Sequence, residues 1–223
     1  GDGGVVLRTT DGVAWSAKPT GTANPWRGAF FASSTTGWVV GDGLIYHTTT
    51  GGDAWTPQWA GATNLYDVWF VDLLRGWSVG DNGTVLRTTD GGTTWTPVSG
   101  GATSQLNAVS FSNDGVVGYA VGSGGVILKT SNGGATWTSS PSGVATDLHG
   151  VSVPTNGTIA YACGAGGTVL RTTDQGGSWS AQTPAGVTLR AILFPSSDSV
   201  GYCAGDGTTI LKTTNGTTWN PQT

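Results

Sequence analysis

Gly83-Thr-Val-Leu-Arg-Thr-Thr-Asp-Gly-Gly-Thr-Thr-Trp95 decides how this chain folds. It reads as a short strand over 84–88, a tight turn on Asp90-Gly91-Gly92 and a second strand opening at Trp95. Glycine supplies the positive φ such a turn needs, and a short carboxylate can bond the turn's own N–H groups. The stretch occurs six times, ending at Trp15, Trp55, Trp95, Trp137, Trp179 and Trp219, with spacings of 40, 40, 42, 42 and 40 residues. Strand-rich, glycine-rich units with a period near 40 predict a β-propeller, one blade per repeat.

Working outward, each hairpin after the first is preceded by a second, less regular half. A first strand recurs at 26–31, 65–70, 106–111, 148–153 and 189–194, and a second opens at Gly37-Trp38, Gly76-Trp77, Gly118-Tyr119, Ala160-Tyr161 and Gly201-Tyr202. The fold class is therefore all-β, with blades of four antiparallel strands. Six hairpin halves stand against five leading halves. The expectation is one domain over 1–223, five full blades plus a half blade lacking its first two strands, in a six-bladed ring or a seven-bladed parent. The missing strands would lie upstream of residue 1 or come from another chain. Methionine is absent, so a processed or partial chain is expected, with removal of a secretion signal the simplest route. That places the protein in a secreted, periplasmic or cell-surface setting.

Composition excludes several classes. With 39 glycines and 10 % charged residues, long helices and coiled coils are out. Only 37 % of residues are hydrophobic, but eleven are tryptophans, and each large aromatic buries roughly 150–250 Å². A net charge of −4 offers no overall attraction for nucleic acid or anionic lipid, and no apolar run is long enough for membrane insertion as a helix. His47 and His149 with two cysteines make no metal-ligand spacing, and the glycine-rich turns join strand to strand instead of opening a helix over a phosphate. No cofactor is expected.

The ungapped copies Thr88–Trp95, Thr130–Trp137 and Thr172–Trp179 resemble the Asp-box hairpin of bacterial-neuraminidase-repeat propellers. The longer run from Gly76-Trp-Ser-Val-Gly through Leu-Arg-Thr-Thr-Asp-Gly-Gly-Thr-Thr-Trp95 is similar to the photosystem II stability/assembly factor-like propellers. This resemblance implies a non-enzymatic scaffold or assembly module and a peripheral, structural role for the hairpin. Thr50 departs from the pattern by replacing the acidic residue, and the first and last copies are one residue shorter.

Asp11, Asp90, Asn132, Asp174 and Asn215 accordingly read as turn residues that satisfy backbone donors, and Trp15, Trp55, Trp95, Trp137, Trp179 and Trp219 as packing between blades. A glycosidase of the neuraminidase kind needs a glutamate beside its tyrosine. All thirteen acidic residues here are aspartates, and Asp67 and Asp72 form no recognisable pair. No catalytic residue is expected.

Two series carry the candidate binding function. A basic residue precedes the first Thr of each hairpin turn: Arg8, His47, Arg87, Lys129, Arg171 and Lys212. This is either a repeat-encoded hydrogen bond or a ring of cations for an acidic partner, since Arg forks match carboxylates. The second residue of each first strand does not repeat: Arg27, Tyr66, Asn107, His149 and Arg190. Polar variation at one address predicts a ring at the mouth of the propeller, with Trp59 and Trp69 as a nearby aromatic wall. The expected partner is another protein offering an acidic or extended segment, and the alternative is a glycan stacked on those aromatics. Cys163 and Cys203 fall one residue apart in the repeat, which sends them to opposite faces of their sheets and predicts two buried free thiols held apart.

Overall fold

The computed structural model describes residues 1–195 and 197–222. Its strands, in chain order, are β1 (Val5–Arg8) and β2 (Ser16–Pro19); β3 (Trp26–Phe31), β4 (Gly37–Thr48) and β5 (Thr56–Phe70); β6 (Gly76–Gly80), β7 (Val85–Thr88) and β8 (Thr96–Val98). They continue as β9 (Leu106–Phe111), β10 (Gly118–Gly122), β11 (Ile127–Thr130) and β12 (Thr138–Ser139); β13 (Leu148–Ser152), β14 (Ala160–Gly164), β15 (Val169–Thr172) and β16 (Ser180–Gln182); and β17 (Leu189–Leu193), β18 (Gly201–Gly205), β19 (Ile210–Thr213) and β20 (Trp219–Pro221).

The last three groups are four-stranded antiparallel sheets, each in consecutive strand order. The second and third blades are fused into one six-stranded sheet, β3 to β8. The cause is local. The turn at Asp42-Gly43 is one residue tighter than Asp81-Asn82-Gly83, so β4 holds a second and a third strand without a break. Trp38 and His47, near its two ends, stack with centroids 4.9 Å apart. Likewise β5 holds the fourth strand of one blade and the first of the next. β1 and β2 pair only with each other, as the third and fourth strands of a blade. Among the described residues no helix is long and apolar enough to cross a membrane.

First strands of successive blades touch one another, β3 on β5, β5 on β9, β9 on β13 and β13 on β17, and so form the innermost layer. Packing between blades follows one repeated aromatic device. The second-strand aromatic of one blade stacks on the first-strand Phe of the next, as in Trp38–Phe70 at 3.5 Å, Trp77–Phe111 at 3.6 Å and Tyr161–Phe194 at 3.8 Å. The hairpin Trp of that next blade meets the same Phe edge-on, as Trp95, Trp137 and Trp219 do at 5.6–5.9 Å. Both geometries suit the ring quadrupole. The buried polar end of the aromatic is satisfied across the interface: Trp38 Nε1 donates to Gly91 O, Trp77 Nε1 to Gly133 O and Tyr161 OH to Asp198 O.

Two expectations change here. Trp15 does not pack between blades and is 60 % exposed, because β1–β2 brings no first-strand Phe to meet it. The cysteines do not stand apart. Cys163 and Cys203 are both free and buried, as expected, but they share one cluster, where the neighbouring Cys163 thiol together with burial pushes the Cys203 thiol up. Opposite faces of their own sheets become facing surfaces once blade stacks on blade.

Candidate functional site

Asp11, Asp90 and Asp174 hold equivalent places in their hairpins. Thr88 Oγ1 donates to Asp90 Oδ1 and accepts the N–H of Gly92, while Asp90 Oδ1 also accepts the N–H of Thr94 and Oδ2 the Thr94 hydroxyl. Asn132 and Asp174 repeat the arrangement. Thr50, the departure from the pattern, bonds the N–H of Ala54 through its hydroxyl. The Ser178 hydroxyl, then its N–H and the Thr172 hydroxyl, push the Asp174 carboxyl down to about 2. These oxygens are committed to holding their turns, which is turn chemistry and not acid–base chemistry.

The cation series runs along the third strands, each residue opposite a second-strand aromatic: Arg87 faces Trp77, Lys129 faces Tyr119, Arg171 faces Tyr161 and Lys212 faces Tyr202. Arg171 Nε donates to Tyr161 OH, Lys212 lies over the Tyr202 ring at 5.6 Å, and Arg87 Nε donates to Gly133 O at 2.8 Å in the neighbouring hairpin. Arg8 is paired with Asp53. His47 is stacked on Trp38, and burial lowers its pKa. Arg171, Lys212 and His47 thus meet an aromatic of their own blade, while Arg8 and Arg87 reach the next hairpin.

Arg27, Tyr66, His149 and Arg190 share a backbone feature that the sequence did not show. The ladder between first and second strand slips at each of these residues, leaving it without a partner. The fourth blade has an irregularity at the same place, where Gly122 pairs with Leu106 and Val121 with Ala108, skipping Asn107. A bulge re-aims the extra residue's side chain. Five bulged residues thus stand at the same end of the innermost strands, beside the turns that follow each second strand.

Arg27 and Asn107 reach into the next blade. The Arg27 guanidinium is 2.8 Å from Asp42 and 5.2 Å from the centre of the Tyr66 ring in the next blade. Asp81, near Tyr66, accepts from Asn64 Nδ2 at 2.9 Å. Burial, with Asp81 adding to it, raises the Tyr66 pKa. Asn107 Nδ2 donates to Leu148 O in the next blade at 2.7 Å. Arg190 makes a two-pronged pair with Asp206 at 2.7 and 3.2 Å, and His149 lies close enough to Asp206 to lower its pKa further.

The bulged set, with its neighbouring carboxylates, is therefore of mixed charge. The carboxylates that make it so, Asp42, Asp81 and Asp206, were missed as site residues. Each follows the glycine that ends a second strand, Gly41, Gly80 or Gly205, and that repeated Gly-Asp was the available signal. Trp59 and Trp69 do not form an open aromatic wall. Both are half-buried in packing, Trp69 against Phe30 at 5.2 Å.

Asp67, next to Tyr66, is the one charged residue at an address held elsewhere by Gly28, Ala108, Gly150 and Ala191. Although the residue keeps some accessible surface, its carboxyl is enclosed. It accepts the N–H groups of Val68 and, across the blade boundary, Val109, both at 2.9 Å. Burial outweighs those donors and pushes the carboxyl up to about 7 from an ordinary 3.8. Between these values the folded chain holds a proton that the unfolded chain has lost, so this group's contribution makes stability fall as pH rises, by at most about 1.4 kcal/mol per pH unit. His47, with its lowered pKa, contributes the opposite slope below its ordinary 6.5. Asp67→Asn retains His47, so denaturant midpoints from pH 4.5 to 6.5 should rise with pH more steeply in the variant than in the parent. Equal slopes would deny Asp67 this role.

Residues 58–183, more than half of the chain, match the family model of the photosynthesis system II assembly factor YCF48. The chain belongs to this family. A solved structure of YCF48 bound to D1 peptide is similar in fold, at a TM-score of 0.65 and 17 % identity over 97 % of this chain and 87 % of that one. An ancestral GH74 enzyme is also similar, at a TM-score of 0.80 and 15 % identity, but this chain, covered in full, spans only 35 % of it. No curated protein matches the sequence. YCF48 family membership makes the chain a propeller of the assembly-factor kind, and its likeness to the glycosidase rests on fold alone.

Proposed function

We propose that this chain is a non-enzymatic assembly module that holds an extended segment of a partner protein across the mouth built by Arg27, Tyr66, Asn107, His149 and Arg190. The observation that carries it is the bulge. Every described blade with a first strand breaks its ladder at the same place, and the side chains so presented differ from blade to blade. Repeat-wide packing needs no such variety; reading a partner with a sequence of its own does. An extended chain offers alternating donors and acceptors, which suit a mouth of mixed arginines and carboxylates. Membership of the YCF48 family and the D1 peptide bound to a structural neighbour support a peptide as ligand.

A D1 peptide is the first probe. Titrated by fluorescence polarisation, it should bind the parent chain and bind the Tyr66→Ala, Arg190→Ala double variant about tenfold or more weakly, the loss of about 1.4 kcal/mol or more expected for removing an aromatic and an arginine contact. Undiminished binding by a folded double variant would remove the mouth from the proposal.

A further inference from the structure

At the rim, far from the bulged residues in sequence, two grooves occupy equivalent places in different blades. The first, of about 330 Å³, lies between the β1–β2 hairpin and the next blade and is lined by Arg8, Thr10, Ser16, Lys18 and Asp53 among others. The second, of about 420 Å³, lies between β7–β8 and the fourth blade, lined by Arg87, Thr89, Thr96, Val98 and Ala135 among others. The correspondence is residue by residue. Arg8 pairs with Ser16 as Arg87 pairs with Thr96, and Val6 with Lys18 as Val85 with Val98. Asp53 and Ala135 both stand two residues before their hairpin tryptophan.

In the first groove the protein itself supplies the carboxylate. Asp53 reaches into it from the neighbouring hairpin and takes Lys18 Nζ at 2.6 Å and Arg8 at 3.4 Å. Lys18 chiefly, with Arg8, holds the Asp53 carboxyl below the usual carboxylate range. In the second groove the residue that would supply the carboxylate is Ala135. Arg87 remains. Its Nε donates to Gly133 O at 2.8 Å, which fixes the guanidinium plane, and its terminal nitrogens have no side-chain partner among the described residues. Thr89 and Thr96 bring hydroxyl groups to the same walls. Asp90 does not bar an anion, since Asp11 holds the same place beside the first groove.

We propose that the Arg87 groove is a second binding site, one that takes a carboxylate from outside the chain in the position Asp53 fills from within. Arginine is the suited residue, because its fork matches a carboxylate and Nε is already anchored. Arg171 is not equivalent, being turned onto Tyr161 of its own blade. The inference rests on the protein-binding reading for its ligand: an Asp or Glu side chain, or a chain terminus, of a bound partner. One cation replaces two, so affinity for an isolated carboxylate should be weak and the site should act as an anchor for a longer segment.

The test uses short peptides and amide NMR. Acetylated Gly-Asp-Gly-amide should shift signals of residues around 87–99 and 133–136, whereas acetylated Gly-Asn-Gly-amide should not; acetylated Gly-Gly-Gly with a free terminus reports whether a chain end serves as well. Arg87→Gln should weaken the Asp peptide about tenfold. Ala135→Asp keeps Arg87, places the carboxylate the other groove has, and should abolish the response by occupying the site. Equal responses to the Asp and Asn peptides, or unchanged binding by the folded Ala135→Asp variant, would overturn the proposal. The Tyr66→Ala, Arg190→Ala variant should bind these short peptides normally, so failure at the mouth and failure at the rim are read separately.

Discussion

Phe111→Ala should destabilise the propeller by about 3–5 kcal/mol, the range for removing a fully buried phenylalanine. Phe111 is 1 % exposed and joins two blades. One face stacks on Trp77 of the preceding blade at 3.6 Å and 16°, and its edge meets Trp137 at 5.6 Å and 85°. The ring also lies over Gly118, where an added Cβ would come within 2.5 Å of it. Gly37, Gly76 and Gly201 are covered in the same way by Phe31, Phe70 and Phe194. The fifth blade confirms the coupling from the other side: Val153 replaces the phenylalanine there and Ala160 replaces the glycine. Losing Phe111 therefore leaves a void bounded by two tryptophans and a bare backbone, which neighbours in a sheet cannot close. Guanidinium denaturation followed by tryptophan fluorescence should show the midpoint falling strongly, and Val153→Ala should cost less. A loss below about 1 kcal/mol at Phe111 would mean that the aromatic device contributes little to joining blades.

Gly125→Ala should be the second severe change, and its neighbour Gly124 the control. Both have left-handed backbones, at φ +75° and +70°, which costs an alanine about 1–2 kcal/mol at either position. Their surroundings differ. A Cβ on Gly124 meets nothing within 4 Å, whereas one on Gly125 would lie 2.1 Å from Val144 O. The strand connector carrying Val144 would have to move, disturbing the boundary between the fourth and fifth blades. Asn82, at φ 56°, occupies the Gly124 address in the third blade, so a side chain is tolerated there. Gly124→Asn should be nearly neutral, because asparagine adopts this conformation readily. Thermal melts that place the Gly124 and Gly125 alanine variants together would show that the Val144 contact is relieved without cost.

Much of the candidate site was legible, and its electrostatics were not. Listing the non-repeating second residue of each first strand found Arg27, Tyr66, Asn107, His149 and Arg190, which the structure brings to one end of the inner strands. It did not find Asp42 or Asp206, which turn two of those arginines into ion pairs, because the carboxylates lie 15 and 16 residues away on the far side of a strand pair. The cation series was found as a series, but its residues divide by tertiary neighbours: Arg8 meets a carboxylate, Arg171 a tyrosine, and Arg87 an open groove.

By itself the sequence determined the blade. Strand length, turn residues, the threonine–aspartate hairpin bonds and the alternation of buried aromatics are all local, set by residues within one 40–42-residue repeat. Tertiary structure alone decided what one blade presents to the next. Stacking brings one face of a sheet against the opposite face of its neighbour, so residues one position out of step in the repeat can meet, as Cys163 and Cys203 do. The same stacking buried Asp67 beneath Val109, left Trp15 uncovered, and put the Asp53 carboxylate in one rim groove while leaving its Arg87 counterpart open.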